Sequence, residues 1–179
     1  FMGLVSKEAI PDFILITTIL KMSFAGLNFY LLCRFTQHKI AFSHYAFAVG
    51  YALVSYSFIY LSNYMWIDGV MILPLMVLGL NLLKESKVCY LYSISLAYSL
   101  ISSWYIGFMT CVFSVFYFMY LFFSDAKSFK EKMPFFLRYV IYSLIGGFLG
   151  AICWLTAFLH FSGTKATQSF PKFDFGSLS

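Results

Sequence analysis

Residues 62–83 read SNYMWIDGVMILPLMVLGLNLL, a polar and aromatic joint that passes directly into a long apolar run. The run from Ile67 to Leu83 approaches the roughly 20 helical residues needed to cross a hydrocarbon core of about 30 Å. Reading it as a membrane span decides the fold, because runs of the same kind recur along the chain with only short polar joints between them. The interruption by Asn63, Trp66 and Asp68 then needs a reason of its own.

Composition agrees with the spans. The chain is 61% hydrophobic, 22% aromatic and 11% charged, far from the roughly 45–50% apolar and about 25% charged residues of soluble domains. An all-α, polytopic transmembrane helix bundle is expected, forming a single domain over residues 1–179. Six spans are expected: Pro11 to Cys33, Ile40 to Leu61, Ile67 to Leu83, Val88 to Ser103, Ile106 to Phe123 and Pro134 to Phe161. Pro11 and Pro134 stand where a helix tolerates proline, in a first turn. The chain opens on Phe1 with no secretory leader pattern, and reads as part of a longer protein.

The net charge of +5 does not indicate nucleic acid, because the basic residues are scattered over the joints and form no patch. They sort by side. Arg34, Lys39, Lys84, Lys87, Lys127, Lys130, Lys132 and Arg138 fall at alternate joints, against Lys7, Lys165 and Lys172 on the other side. The positive-inside rule places the eight in the cytoplasm. Both ends of the chain and the joints at residues 62–68 and 102–106 are then expected on the extracytoplasmic side of the membrane. The third to fifth spans are short, so these outer joints are expected to sit low, in a dent.

Few residues offer chemistry. Lys21 lies about 15 Å into its span at helical rise, where a charge is costly and by default marks function or a partner. No acid in the later spans stands at matching depth, so the choice is an ion pair with a carboxylate elsewhere or an anion site. Asp68, at the start of its span, suits either an N-terminal cap at the positive helix end or a carboxylate that binds sugar hydroxyls or a divalent metal. Trp66, Tyr64, Trp104 and Tyr105 fit the interfacial aromatic belt, and their faces also suit sugar rings. Pro74 should free a backbone carbonyl within its span. Gly146, Gly147 and Gly150 should allow close helix approach.

Cys33, Cys89, Cys111 and Cys153 are far apart and read as small core residues. His38, His44 and His160 form no metal-ligand pair, and no hydrolase elbow or phosphate loop occurs.

In order, LITTILKMSFAGLNFYLLCRF (15–35), YALVSYSFIYLSNYMWIDGVMILPLMVLGLNLL (51–83) and LYSISLAYSLISSWYIGFMTCVFSVFYFMYLFF (91–123) resemble the YfhO family of bacterial membrane proteins. The W-x-D of Trp66 and Asp68 and the SWYIGFM of residues 103–109 carry most of the resemblance. The family usually has an Asn-Tyr-Tyr-Ile-Gly-Tyr type sequence at the second joint, from which Ser103, Trp104 and Phe108 depart. It also tends to carry a Leu-Pro-Thr-like stretch in the last helix, where this chain has Trp154-Leu155-Thr156-Ala157.

The resemblance implies a C-type glycosyltransferase core that takes a sugar from a polyprenyl-phosphate carrier in the membrane lipid. The acceptor would be a cell-envelope glycopolymer such as teichoic acid. It also implies an upstream helix and outer loop that hold the principal catalytic base. Within this chain the candidate substrate-binding residues are Lys21, Asn63, Trp66, Asp68, Trp104 and Tyr105. The rival reading is a transporter or flippase of a lipid-linked or anionic substrate, since intramembrane charge and broken helices also mark transporters. Both unusual joints fall on one side and no inverted repeat is evident, which favours the enzyme.

Overall fold

The computed structural model describes residues 7–37, 42–54, 59, 66–85, 90–125 and 129–163. After a 3-10 turn at Lys7–Ala9, the described residues form α1 Ile10–Gln37, α2 Phe42–Ala52, α3 Ile67–Lys84, α4 Tyr90–Ser102, α5 Trp104–Ser124 and α6 Phe129–Gly163. Among the described residues there is no strand. The molecule is a helical bundle.

Among the described residues four helices are long and apolar enough to cross a membrane: α1, α3, α5 and residues 129–151 of α6. The described parts of the second and fourth expected spans are helices of 11 and 13 residues. At 1.5 Å per residue these cover only about 17 and 20 Å. The fifth span runs to 21 residues, longer than expected, and the sixth begins at Phe129. Pro134 is therefore the sixth residue of α6, beyond its first turn, whereas Pro11 is the second residue of α1.

Among the described residues, large apolar side chains cover much of the outer surface. Phe42, Phe123 and Phe148 are exposed to 87, 72 and 83%. Contiguous apolar surface of this kind is rare on soluble monomers and is the natural surface of a protein solvated by lipid tails.

Side-chain pairings give the helix directions. Gly26 of α1 meets Ala48 and Ala52 of α2 while Tyr30 stacks on Tyr45, so α1 and α2 run antiparallel. The same logic makes α3 antiparallel to α4 through Asp68 with Ser102 and Gly79 with Tyr92. Successive helices alternate throughout, so α1, α3 and α5 start at one end of the bundle, where α2, α4 and α6 finish.

Short α4 is the centre of the larger half. Seven of its 13 residues are buried, among them Tyr92, Leu96 and Leu100. Its neighbours come close because they present glycine. A Cβ on Gly79 of α3 would lie 2.7 Å from the Tyr92 backbone nitrogen, and one on Gly107 of α5 would lie 2.8 Å from the Leu100 Cα. Without a hydrophobic drive between helices in lipid, such close backbone contact is what holds them together. From α6, Gly146 and Gly150 meet Ser93 and Leu100, but a Cβ on Gly147 would have nothing within 4 Å among the described residues. Gly147 instead supplies its carbonyl to the Trp154 indole N–H, at 3.0 Å.

Pro74 shows how polar groups are met inside α3. Lacking an N–H, it leaves the Val70 carbonyl without its helical donor. The Tyr51 hydroxyl of α2 donates to that carbonyl at 2.8 Å, and the Asn28 side-chain amide of α1 donates to the next one, Met71, at 2.7 Å. The proline thus opens one docking point, for α2, and the neighbouring Met71 carbonyl serves as a second, for α1.

Candidate functional site

The polar residues of the sequence converge where α3 begins. Trp66 takes the N-cap position of α3 with no side-chain cap hydrogen bond. Asp68, two residues on, does not cap its helix. Its carboxylate is nearly buried and points across the bundle to three other side chains. Lys21 Nζ lies 2.8 Å from Oδ1, the Tyr98 hydroxyl donates to Oδ1 at 3.2 Å, and the Ser102 hydroxyl donates to Oδ2 at 2.6 Å. The lysine and aspartate side chains are only 15 and 9% exposed. The ammonium of α1 and two hydroxyls of α4 therefore converge on one carboxylate of α3.

This pairing overturns the expectation that no later acid matches Lys21 in depth. The expectation takes the first residue of every span to lie at the membrane surface. Lys21 stands eleven residues after Ile10, about 17 Å along α1, while Asp68 is the second residue of α3. For the two to touch, α3 must begin well below the start of α1, farther than a lysine side chain reaches. The α3 start is sunk relative to α1, the relation a dent requires. Asp68 keeps one part of the cap reading, since an acid in the first turn still faces the positive helix end.

Beside this cluster Trp66 and Tyr105 stack, with ring centroids 5.7 Å apart and planes inclined by 23°. The two joints, separated in sequence, thus form one aromatic wall. Trp66 is half-buried, while Tyr105 and Trp104 are exposed to 51 and 39%. Asn63 and Tyr64 lie outside the described residues. From the stack an apolar groove of about 400 Å³ runs along α3 and α5 beside the end of α2. Trp66, Val70, Leu73, Ile106, Met109 and Phe113 line it.

Lys21, Asp68, Trp66 and Tyr105 are therefore neighbours, and Trp104 lies next to them in the chain. Tyr98, Ser102 and Tyr51 belong to no motif that marks them in the sequence. A signal for the first two exists: Tyr98 and Ser102 are four residues apart on α4 and so share one face, directly before the second joint.

A divalent metal does not fit this cluster. Among the described residues no three His, Cys, Asp or Glu side chains gather. Asp68, the one carboxylate, already accepts hydrogen bonds from Tyr98 and Ser102 and pairs with Lys21. Of the histidines, His44 is buried and bonded to Gln37 at 2.7 Å between α1 and α2. Cys33, Cys111 and Cys153 are free and partly buried.

An apolar-surfaced bundle of alternating helices, four of them long and apolar enough to cross a membrane among the described residues, defines a polytopic membrane protein. The sequence profile described as the bacterial membrane protein YfhO matches residues 1–177, and the chain belongs to the YfhO family. No curated protein and no solved structure matches it.

Proposed function

We propose that this chain forms part of a membrane glycosyltransferase that uses a polyprenyl-phosphate-linked sugar on the extracytoplasmic face to modify a cell-envelope polymer such as teichoic acid. The observation that carries this reading is the juxtaposition of the Trp66–Tyr105 stack, the Asp68 cluster and the apolar groove at one sunken helix end. A lipid-linked sugar needs these three features together. The isoprenoid chain needs an apolar groove open to lipid, the sugar ring needs an aromatic face, and its hydroxyls need a fixed acceptor.

In the reaction an acceptor hydroxyl oxygen attacks the sugar C1, the bond from C1 to the phosphate oxygen breaks, and the polyprenyl phosphate leaves. A base must take the acceptor proton and donors must meet the charge on the leaving phosphate. Asp68, held between a cation and two hydroxyls, suits orienting sugar hydroxyls better than taking a proton. Lys21 holds that carboxylate in place, and the principal base is assigned to no residue of this chain. The excess of Lys and Arg at alternate joints supports an extracytoplasmic position for this end.

The rival reading, a transporter or flippase, draws on the same buried ion pair, since paired intramembrane charges also mark translocation paths. Assaying the full-length protein in proteoliposomes with a radiolabelled polyprenyl-phosphate sugar separates the two. Transfer to an acceptor supports the enzyme, whereas donor flipping without transfer overturns it.

A further inference from the structure

A second charged site lies at the opposite end of the bundle, where α3 and α5 finish and α6 begins. A cavity of about 200 Å³ is lined there by Lys84, Asp125, Glu131, Lys132 and Arg138, with Phe122 as an apolar wall. Among the described residues three cations face two carboxylates. Lys84 and Asp125 meet only loosely, at 3.9 Å, and the Lys132 ammonium lies 5.4 Å from the Phe122 ring centroid. Arg138 is half-buried and has no hydrogen-bond or ion-pair partner among the described residues. A half-buried guanidinium with five donors and no acceptor is an incomplete arrangement at the edge of a membrane. A phosphate, which a guanidinium can hold through two parallel hydrogen bonds, would complete it.

What lies beyond Phe122 narrows the ligand. Phe122 also borders a second groove of about 260 Å³, formed by Phe118, Met119, Phe123, Phe129, Met133 and Phe136 and lined by no polar atom. Charged cavity and apolar groove therefore share one aromatic wall. A free anion would use only the first, and a neutral lipid only the second. We propose that this end of the bundle binds an anionic phospholipid, with its phosphate at Arg138 and Lys132 and an acyl chain in the groove beyond Phe122. Asp125 and Glu131 oppose an anion, and the three cations leave one positive charge over. Both helix ends at the site contribute: Lys84 closes α3 and Lys132 stands in the first turn of α6, so binding would tie the start of α6 to the end of α3.

The test is native mass spectrometry of the full-length protein released from micelles containing equal amounts of phosphatidylglycerol and phosphatidylcholine with identical acyl chains. Phosphatidylglycerol is expected to be retained about tenfold more, because both lipids offer a phosphate but the choline cation of phosphatidylcholine would meet the surplus positive charge of the site. Arg138→Gln should abolish the preference and Arg138→Lys should keep most of it, with circular dichroism showing that both variants retain wild-type helix content. Equal retention of the two lipids by the wild type, or an unchanged preference in Arg138→Gln, would overturn the proposal. So would displacement of phosphatidylglycerol by inorganic phosphate, because the site would then take the free anion without its chain.

Discussion

The ammonium of Lys21 and the carboxylate of Asp68 meet at 2.8 Å inside the bundle, joining the middle of α1 to the start of α3. Breaking a buried pair by removing one charge leaves the other uncompensated, which typically costs about 3–5 kcal/mol. Asp68→Asn should therefore lower the thermal stability of the solubilised protein markedly. Adding Lys21→Met should recover much of the loss. If the two substitutions instead add without coupling, the pair does not hold the helices together.

Gly79 and Gly147 make opposite predictions from the same residue type. A methyl group on Gly79 would strike the Tyr92 backbone, which neither helix can yield without separating. Gly79→Ala should destabilise the protein by about 1–3 kcal/mol, the usual cost of overpacking. Gly147→Ala meets open space, and should be neutral or slightly stabilising because alanine favours helix by up to about 1 kcal/mol. Unfolding midpoints of the two variants check both.

Tyr51 and Pro74 should be coupled. Tyr51→Phe removes the donor to the Val70 carbonyl that Pro74 leaves open, at a cost near the roughly 0.6–2 kcal/mol measured for hydrogen bonds between membrane helices. In a Pro74→Ala background the helix supplies its own donor, so the same change should cost distinctly less. Equal costs in both backgrounds would mean that the hydroxyl does not answer the proline.

Orientation can be read by labelling. With the native cysteines replaced by serine, Trp104→Cys should react with a membrane-impermeant maleimide in intact cells. Lys132→Cys should react only after lysis. The reverse pattern would place the Asp68 end in the cytoplasm and remove it from an extracytoplasmic donor.

Much of this architecture is legible in the sequence because hydrophobic length alone locates a span. Helix α3 starts at Ile67 as its apolar run does, and the W-x-D and SWYIGFM joints do meet, through Trp66 and Tyr105. Depth was not legible. Counting from the start of each span placed Lys21 out of reach of Asp68, because sequence gives distance along a helix but not how far one helix is sunk against another. The role of Asp68 failed for the same reason: a cap is a local motif, whereas its partners come from α1 and α4. Gly146 and Gly147 are adjacent and chemically identical, and only the facing of α6 separates the one that packs on α4 from the one that does not.

The most direct measurement is sugar transfer by the full-length protein in proteoliposomes, from a radiolabelled polyprenyl-phosphate donor to a cell-envelope polymer acceptor, in wild type and Trp66→Ala. The wild type should transfer label, and the variant should fold normally yet lose roughly tenfold or more in kcat/KM, about 1.4 kcal/mol of transition-state binding. Absence of transfer by well-folded wild-type protein, or full transfer by Trp66→Ala, would contradict a sugar-handling site at this joint.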